Sequence, residues 1–281
     1  MTEFQKEVLN LINEGYAVSE ISKKLNRSKS SVSSVIKRFN VKPKKNLNSN
    51  ELDHNYFDNI DSEDKAYFLG FLIADGTISS GSHRSEGRIG FLIQEEDSYI
   101  LEKLKEKLRS KNQIYRRENH KGALNRKIQA SFRWTSKHMS QLLKSKYGII
   151  SNKTQNIDFE FPLETIPKEY IGDFIRGFID GDGSFESHEG TFTPSIVGTS
   201  KKWLCQIGDI VSAETELNYS ITEIKGKTCN YYTLRWSANR VNKLEKITKL
   251  YEFLYKTATI YLTRKKEKIV RYLEYRANLG N

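Results

Sequence analysis

Phe68–Gly76 reads FLGFLIADG, and about a hundred residues later Ile175–Gly183 reads IRGFIDGDG. Each is an apolar run with one small residue four before another: Gly70 and Ala74, then Gly177 and Gly181. Each closes on an aspartate followed by a glycine. Residues four apart share one helix face, and a face of Gly and Ala lets two backbones approach closely. Phe71, Leu72, Phe178 and Ile179 fill the flanks. Gly76 and Gly183 suit the left-handed residue that ends a helix, so Asp75 and Asp182 fall in the last turns. Packing through the small faces would bring both carboxylates to one end, where the helix dipoles add partial negative charge. A cation must then join them, and a hard divalent ion with oxygen ligands, Mg²⁺ above all, meets that need.

The spacing is that of two copies of one compact unit, and the duplication runs further. Phe132–Ser136 (FRWTS) returns as Leu234–Ala238 (LRWSA). The expected first copy has a motif helix over 64–75, a strand over 88–94 and a helix over 97–108. Strands over 113–117 and 127–135 and a helix over 138–147 complete it. The second copy has a motif helix over 168–182, strands over 184–187 and 191–197, and a helix over 201–213. Strands over 218–225 and 229–237 and a helix over 241–254 follow, and a basic helix over 262–278 ends the chain. Only one strand is clear after the first motif helix. The fold class is α+β, a pair of αββαββα units related by a pseudo-two-fold axis.

The later strands alternate, so one face packs and the other is exposed. Ile128, Ala130, Phe132 and Trp134 form the inward set of one, leaving Lys127, Gln129, Ser131, Arg133 and Thr135 outward. Tyr232, Leu234 and Trp236 point inward in the other, leaving Tyr231, Thr233, Arg235 and Ser237 outward. Arg88 opens the earlier strand. Arg and Gln on a β-ribbon match guanine and adenine edges in a DNA major groove.

The 281 residues hold 46 Lys and Arg against 35 Asp and Glu, a net charge of +11. Such an excess points to a polyanionic partner, most often nucleic acid. Two distant cysteines, Cys205 and Cys229, argue against a disulfide framework and for a reducing compartment. No apolar run approaches the ~18–20 residues that span a bilayer. MTEFQKEV has no basic start followed by an apolar stretch, so no signal peptide is expected. The expected location is cytoplasmic, at the nucleoid, without a membrane partner. The five histidines, His54, His83, His120, His138 and His188, share no metal-ligand spacing.

Residues 1–41 read as a separate module. Phe4, Val8, Leu11 and Ile12 share one helical face, with Thr2 and Gln5 spaced as a capping box. Short helices over 18–25 and 29–39, with a tight turn between them, complete a helix-turn-helix pattern. The last helix turns Lys29, Ser30, Ser31, Ser33, Ser34 and Lys37 outward, a surface suited to a major groove. Residues 42–58, with Pro, Asn and Lys and little apolar period, read as a linker.

The two motif stretches resemble the paired motifs of LAGLIDADG homing endonucleases in their single-chain form, over roughly residues 60–280, with repeats at 59–160 and 161–281. The resemblance implies a DNA-binding saddle of antiparallel sheets and Asp75 and Asp182 as the metal-binding acids. It implies Mg²⁺-dependent cleavage of a long, partly symmetric double-stranded DNA site, with Mn²⁺ as a substitute. It also implies one basic residue near the site per repeat, for which Lys153 and either Arg264 or Lys265 are the candidates. A monomer with no obligate protein partner follows. The sixth motif position is Asp180 in the second copy and Ile73 in the first, and Phe68, Leu69 and Arg176 also depart from the family pattern. Two alternatives share the fold: a non-catalytic DNA-binding regulator and an RNA-splicing maturase.

Overall fold

A computed structural model describes residues 1–16, 18–41, 52–79, 86–118, 128–150, 156–188, 191–226, 229–237 and 242–279. The chain forms two compact units, Met1–Leu52 and Asp53–Asn281.

The small unit has three helices, α1 (Glu3–Asn13), α2 (Val18–Lys24) and α3 (Lys29–Arg38). Thr2 and Gln5 close the capping box on α1. Ser28 caps α3, its hydroxyl accepting the Ser31 amide at 3.1 Å. Asn26, at φ +48°, makes the turn between α2 and α3 in the left-handed conformation that Asn tolerates. Val8, Ile12, Ile21, Val32 and Val35 form the core.

In the large unit the motif helices are α4 (Glu63–Asp75) and α7 (Ile171–Asp182). Around α4 the chain adds β1 (Gly76–Ile78), β2 (Arg88–Gln94), α5 (Ser98–Lys107), β3 (Tyr115–Glu118), β4 (Ile128–Thr135) and α6 (Lys137–Ser145). Around α7 it adds β5 (Gly183–His188), β6 (Thr191–Gly198), α8 (Lys201–Thr215), β7 (Asn218–Ile224), β8 (Tyr231–Ser237) and α9 (Lys243–Tyr255), and α10 (Thr263–Asn278) follows. Two antiparallel four-stranded sheets result, ordered β1-β2-β4-β3 and β5-β6-β8-β7, the same order twice. Their inner faces carry the aromatic core. Phe71 of α4 stacks on Phe91 of β2, and Phe178 of α7 meets Trp203 of α8 edge to face.

Several expectations need correction. The strand hidden after the first motif is β1, three residues long and beginning directly after Asp75. Gly76 and Gly183 are not left-handed: both are extended, at φ −74° and −76°. They are small for a different reason, since a Cβ would come within 2.5 Å of the Leu72 or Ile179 carbonyl oxygen. Ile128, read as inward, is exposed at the end of its strand. Within the expected linker, 42–51 lies outside the described residues. Residues 53–58 pack into the large unit instead, where Tyr56 donates to Asp64 and Tyr147 donates to the Phe57 carbonyl. The apolar pair Tyr56-Phe57 outweighs the Asn and Asp turn signals around it.

The helices α4 and α7 meet backbone to backbone. A Cβ on Gly70 would lie 2.0 Å from the Phe174 carbonyl oxygen, and one on Gly177 2.0 Å from that of Tyr67. Neither carbonyl can retreat without breaking its own helix. Gly177→Ala is therefore expected to destabilise by at least the ~1–3 kcal/mol typical of overpacking. Gly198→Ala, whose Cβ would find only ordinary contacts at 3.5 Å or more to Leu204, serves as the control. Denaturant unfolding of both variants checks this, and equal midpoints would show that the helices do not depend on these glycines.

Candidate functional site

The backbone contact sets where the acids go. At the C-terminal end of the helix pair, a Cβ on Gly181 would lie 2.4 Å from the Ala74 Cβ and 3.3 Å from an Asp75 carboxylate oxygen. The Asp75 carboxylate thus lies over Gly181, the residue before Asp182. Asp75 is half-buried and Asp182 exposed. A cleft of about 300 Å³ opens beside Asp182, lined by Ile73, Ile149, Phe178, Trp203 and Tyr231 among others. Tyr231, read from the sequence as a sheet-face residue, lines the same cleft as Asp182.

The two candidates for the second basic helper have different surroundings. Arg264 pairs with the buried Asp97, Nη2 to Oδ2 at 2.9 Å. Lys265 is buried, and its ammonium donates to the carbonyl of Gly183, the residue after Asp182. Burial, with Arg264 beside it, pushes the Lys265 ammonium down to about 8, against the pull of Asp180 and Asp75. Lys153 lies outside the described residues, as does Lys127.

Most of the remaining sheet candidates stand on the outer faces. Arg88, Arg133 and Arg235 are exposed, and Gln129 and Tyr231 are half-buried. Arg133 crosses Gly90, where a Cβ would come within 2.7 Å of its Cγ. Ser131 and Thr233 need correction: they point the same way but are only 7% and 8% exposed, short hydroxyls sunk between longer neighbours. In the small unit, Lys29, Ser30, Ser31 and Ser33 are exposed and Lys37 lies on the same helix. Ser30 and Ser31 spend part of their hydrogen-bonding on Ser28, each hydroxyl 2.8 Å from its Oγ.

Behind the acids lies a buried polar network that no spacing in the sequence marks. The Asp180 carboxylate is fully enclosed and accepts from Tyr67 OH at 2.9 Å, Tyr255 OH at 2.8 Å and the Leu262 amide at 2.7 Å. Burial, and then this carboxylate, hold both phenols well above their ordinary range. One turn earlier, Arg176 donates to the Ile260 and Leu254 carbonyls and to Asp173 and Glu63. Glu63 also accepts the Thr259 amide and hydroxyl. The signal in the sequence was the pair of departures, Arg176 and Asp180, against Leu69 and Ile73 in the first copy.

No protein-family model and no curated protein matches the chain. Among solved structures, the homing endonuclease I-WcaI bound to its DNA recognition sequence matches with a TM-score of 0.50 at 15% identity. The match covers 83% of this chain and 96% of that one. The chain has the LAGLIDADG homing-endonuclease fold. I-DmoI in complex with DNA and Ca matches with a TM-score of 0.43 at 16% identity, over 67% of this chain and 88% of that one. The N-terminal LAGLIDADG domain of DUF199/WhiA matches with a TM-score of 0.40 at 14% identity, over 76% of this chain and 93% of that one. Among the described residues no helix is long and apolar enough to cross a membrane.

Within this LAGLIDADG fold, Asp180 carries a pH signature. Burial raises its carboxyl from 3.8 to about 6, against the donors that favour the charged form. Between those values the folded chain holds a proton that the unfolded chain has lost. The group's contribution to stability is therefore full below about 4 and is lost as pH rises through 6. Its size is on the order of 3 kcal/mol. Asp180→Asn is expected to remove that component. Unfolding free energies of both proteins from pH 4 to pH 7 check it, and parallel curves would refute it.

Proposed function

We propose that the chain is a site-specific double-strand DNA endonuclease. The observation that carries this reading is the convergence of Asp75 and Asp182 at one end of a backbone-packed helix pair, flanked by two sheets with arginines outward. Duplex DNA has two antiparallel strands, and a pseudo-two-fold pair of acids offers one carboxylate to each. The outward Arg133 and Arg235 supply cationic contacts to phosphate or guanine. Lys29 and Lys37 on the small unit add a second DNA contact through their own helix.

The donor set fits a hard divalent cation. Two carboxylates offer oxygen ligands only and leave coordination positions for water and phosphate, as Mg²⁺ sites commonly do. Asp75 and Asp182 would hold the metal. When bound, Mg²⁺ or Mn²⁺ supplies an activated water and a charge sink for the cleaved phosphate. The chain's own residues orient the reaction around it. The sheets hold the duplex so that the scissile phosphates meet the acids. Lys265, behind Gly183, brings positive charge to the acidic end of the helix pair. Lys153 is proposed as its counterpart in the first repeat. Both acids lie on one chain, so a monomer suffices.

A second reading is a DNA-binding regulator that does not cut. The separate three-helix unit favours it, because its exposed Lys and Ser helix binds DNA without any chemistry. Incubation with supercoiled DNA carrying the target, with and without Mg²⁺, separates the two.

Under the endonuclease reading, Asp75→Asn and Asp182→Asn each abolish double-strand cleavage while target binding survives. The amide keeps the volume and loses the charged oxygen ligand. Ca²⁺ should support binding with little cleavage, and cleavage should begin on adding Mg²⁺. Gel assays of linear and nicked product check this, and full cutting in EDTA would rule out the metal. Joint replacement of Lys29 and Lys37 by Ala should lower target affinity and shrink the slope of log affinity against log salt by about two. An unchanged slope would mean that α3 does not lie on DNA.

A further inference from the structure

The two sheets share one register, so their outer faces can be compared position by position. Arg133 on β4 pairs with Gly90, which pairs with Thr77, two residues past Asp75. Arg235 on β8 pairs with Ser195, which pairs with Ser184, two residues past Asp182. The two arginines are thus equivalent, each in the row that begins beside a motif acid.

Away from that row short hydroxyls still match, Ser131 with Thr233 and Thr135 with Ser237, but the longer polar side chains do not. Gln129 pairs with Arg117 on the first sheet, and the matching pair on the second is Tyr231 with Ile224. Tyr115 pairs with Ser131, and its match is Thr222, opposite Thr233. Arg88, two residues before Gly90, is matched by Thr193, two before Ser195. Thr193 in turn faces the outward Glu186 of β5. Arg88 and Arg117 are exposed, as is Ile224. The outer face of the first sheet therefore carries three arginines and two glutamines, counting Gln94, which pairs with Gln129. The described outer face of the second carries one arginine, one amide (Asn218, opposite Ser237), one glutamate, the phenol of Tyr231 and otherwise short hydroxyl or apolar groups.

Guanidinium and amide groups are the side chains that read guanine and adenine edges bidentately, and arginines also release counterions from phosphate. Short hydroxyls discriminate bases weakly, and a carboxylate opposes phosphate. We infer that the two halves of the DNA site are read unequally. The first sheet carries most of the sequence readout, the second tolerates base changes, and Arg133 and Arg235 impose one guanine each. Those guanines lie on opposite strands, at matched distances from the centre. This rests on the DNA-cleaving reading above and adds to it the form of the target.

The test is selection by the full chain, in Ca²⁺, from a library of randomised duplexes. The expected consensus has one strong and one weak half around a symmetric G and C pair. Arg117→Ala and Gln129→Ala should erase base preference, roughly tenfold or more at their positions, in the strong half. Thr222→Ala and Ile224→Ala should leave the consensus nearly unchanged. Arg133→Ala and Arg235→Ala should each relax one member of the central pair and leave the other intact. All six side chains stand on the outer faces, so folding is not at stake. Two equally informative halves, or loss from Arg117→Ala confined to the weak half, would overturn the inference while leaving the DNA-cleaving reading in place. Recovery of no preferred sequence would overturn both.

Discussion

The backbone contact of α4 with α7 at Gly70 and Gly177 constrains everything else in the large unit. Each glycine accepts the carbonyl of the opposite helix into the space where a side chain would begin. Such a contact admits one register, because a shift along either axis would set a Cβ-bearing residue against a backbone. The register puts Asp75 over Gly181 and so beside Asp182. It also orients the sheets, since β1 and β5 start at the residues immediately after the acids. The position of each outward arginine relative to its nearest acid follows from two residues of strand and two rungs of antiparallel pairing. Little side-chain freedom is lost in such an interface, although each helical glycine costs about 0.5–1 kcal/mol of backbone entropy relative to alanine.

Behind that interface the two copies differ. Where the first copy has Leu69 and Ile73, the second has Arg176 and Asp180, both inside the protein. Buried charges are costly unless every group is partnered, and here the partners are many. Asp180 gathers three donors from three segments, and Arg176 reaches four acceptors. The Leu262 amide belongs to the N-terminus of α10, whose first turn leaves unsatisfied donors and favours a nearby negative charge. Leucine cannot supply a capping oxygen. Asp180, from another helix, accepts the Leu262 amide instead, and the turn that begins there carries Lys265. The network thus links the motif helix to the placement of a buried lysine beside Gly183.

The sequence made the duplication legible because its strongest constraints are local and repeated. Small residues four apart, an acid before a glycine, and an aromatic next to an arginine in a strand each recur in both copies. The period-two alternation likewise separated Phe132 and Trp134 from Arg133. Three features were hidden for physical reasons. β1 is three residues long, too short to show a period. Gly76 and Gly183 are extended and leave no room for a Cβ beside a carbonyl one turn back, which no pattern reveals. The Asp180 network joins residues as distant as Glu63 and Thr259, and only the folded chain brings them together. Register had the same limit: Arg88, Arg117 and Gln129 were readable as polar, but their counterparts in the second sheet were not.

What was duplicated and what was not divides along a physical line. Positions that repeat are those where geometry leaves no choice: the glycines between the helices, the acids at their ends, the tryptophans under the sheets and one arginine in each first row. Positions that do not repeat face outward, where a side chain alters no packing, or lie behind the motif helix, where one closed polar network replaces an apolar one of similar volume. A fold held together by backbone contact is free to vary its surface, because the energy of the interface does not depend on it. The pseudo-symmetry of the frame is therefore a statement about stability. Under the proposed DNA-reading role, the inequality of the two faces belongs to the partner, whose halves need not match even though the scaffold's do.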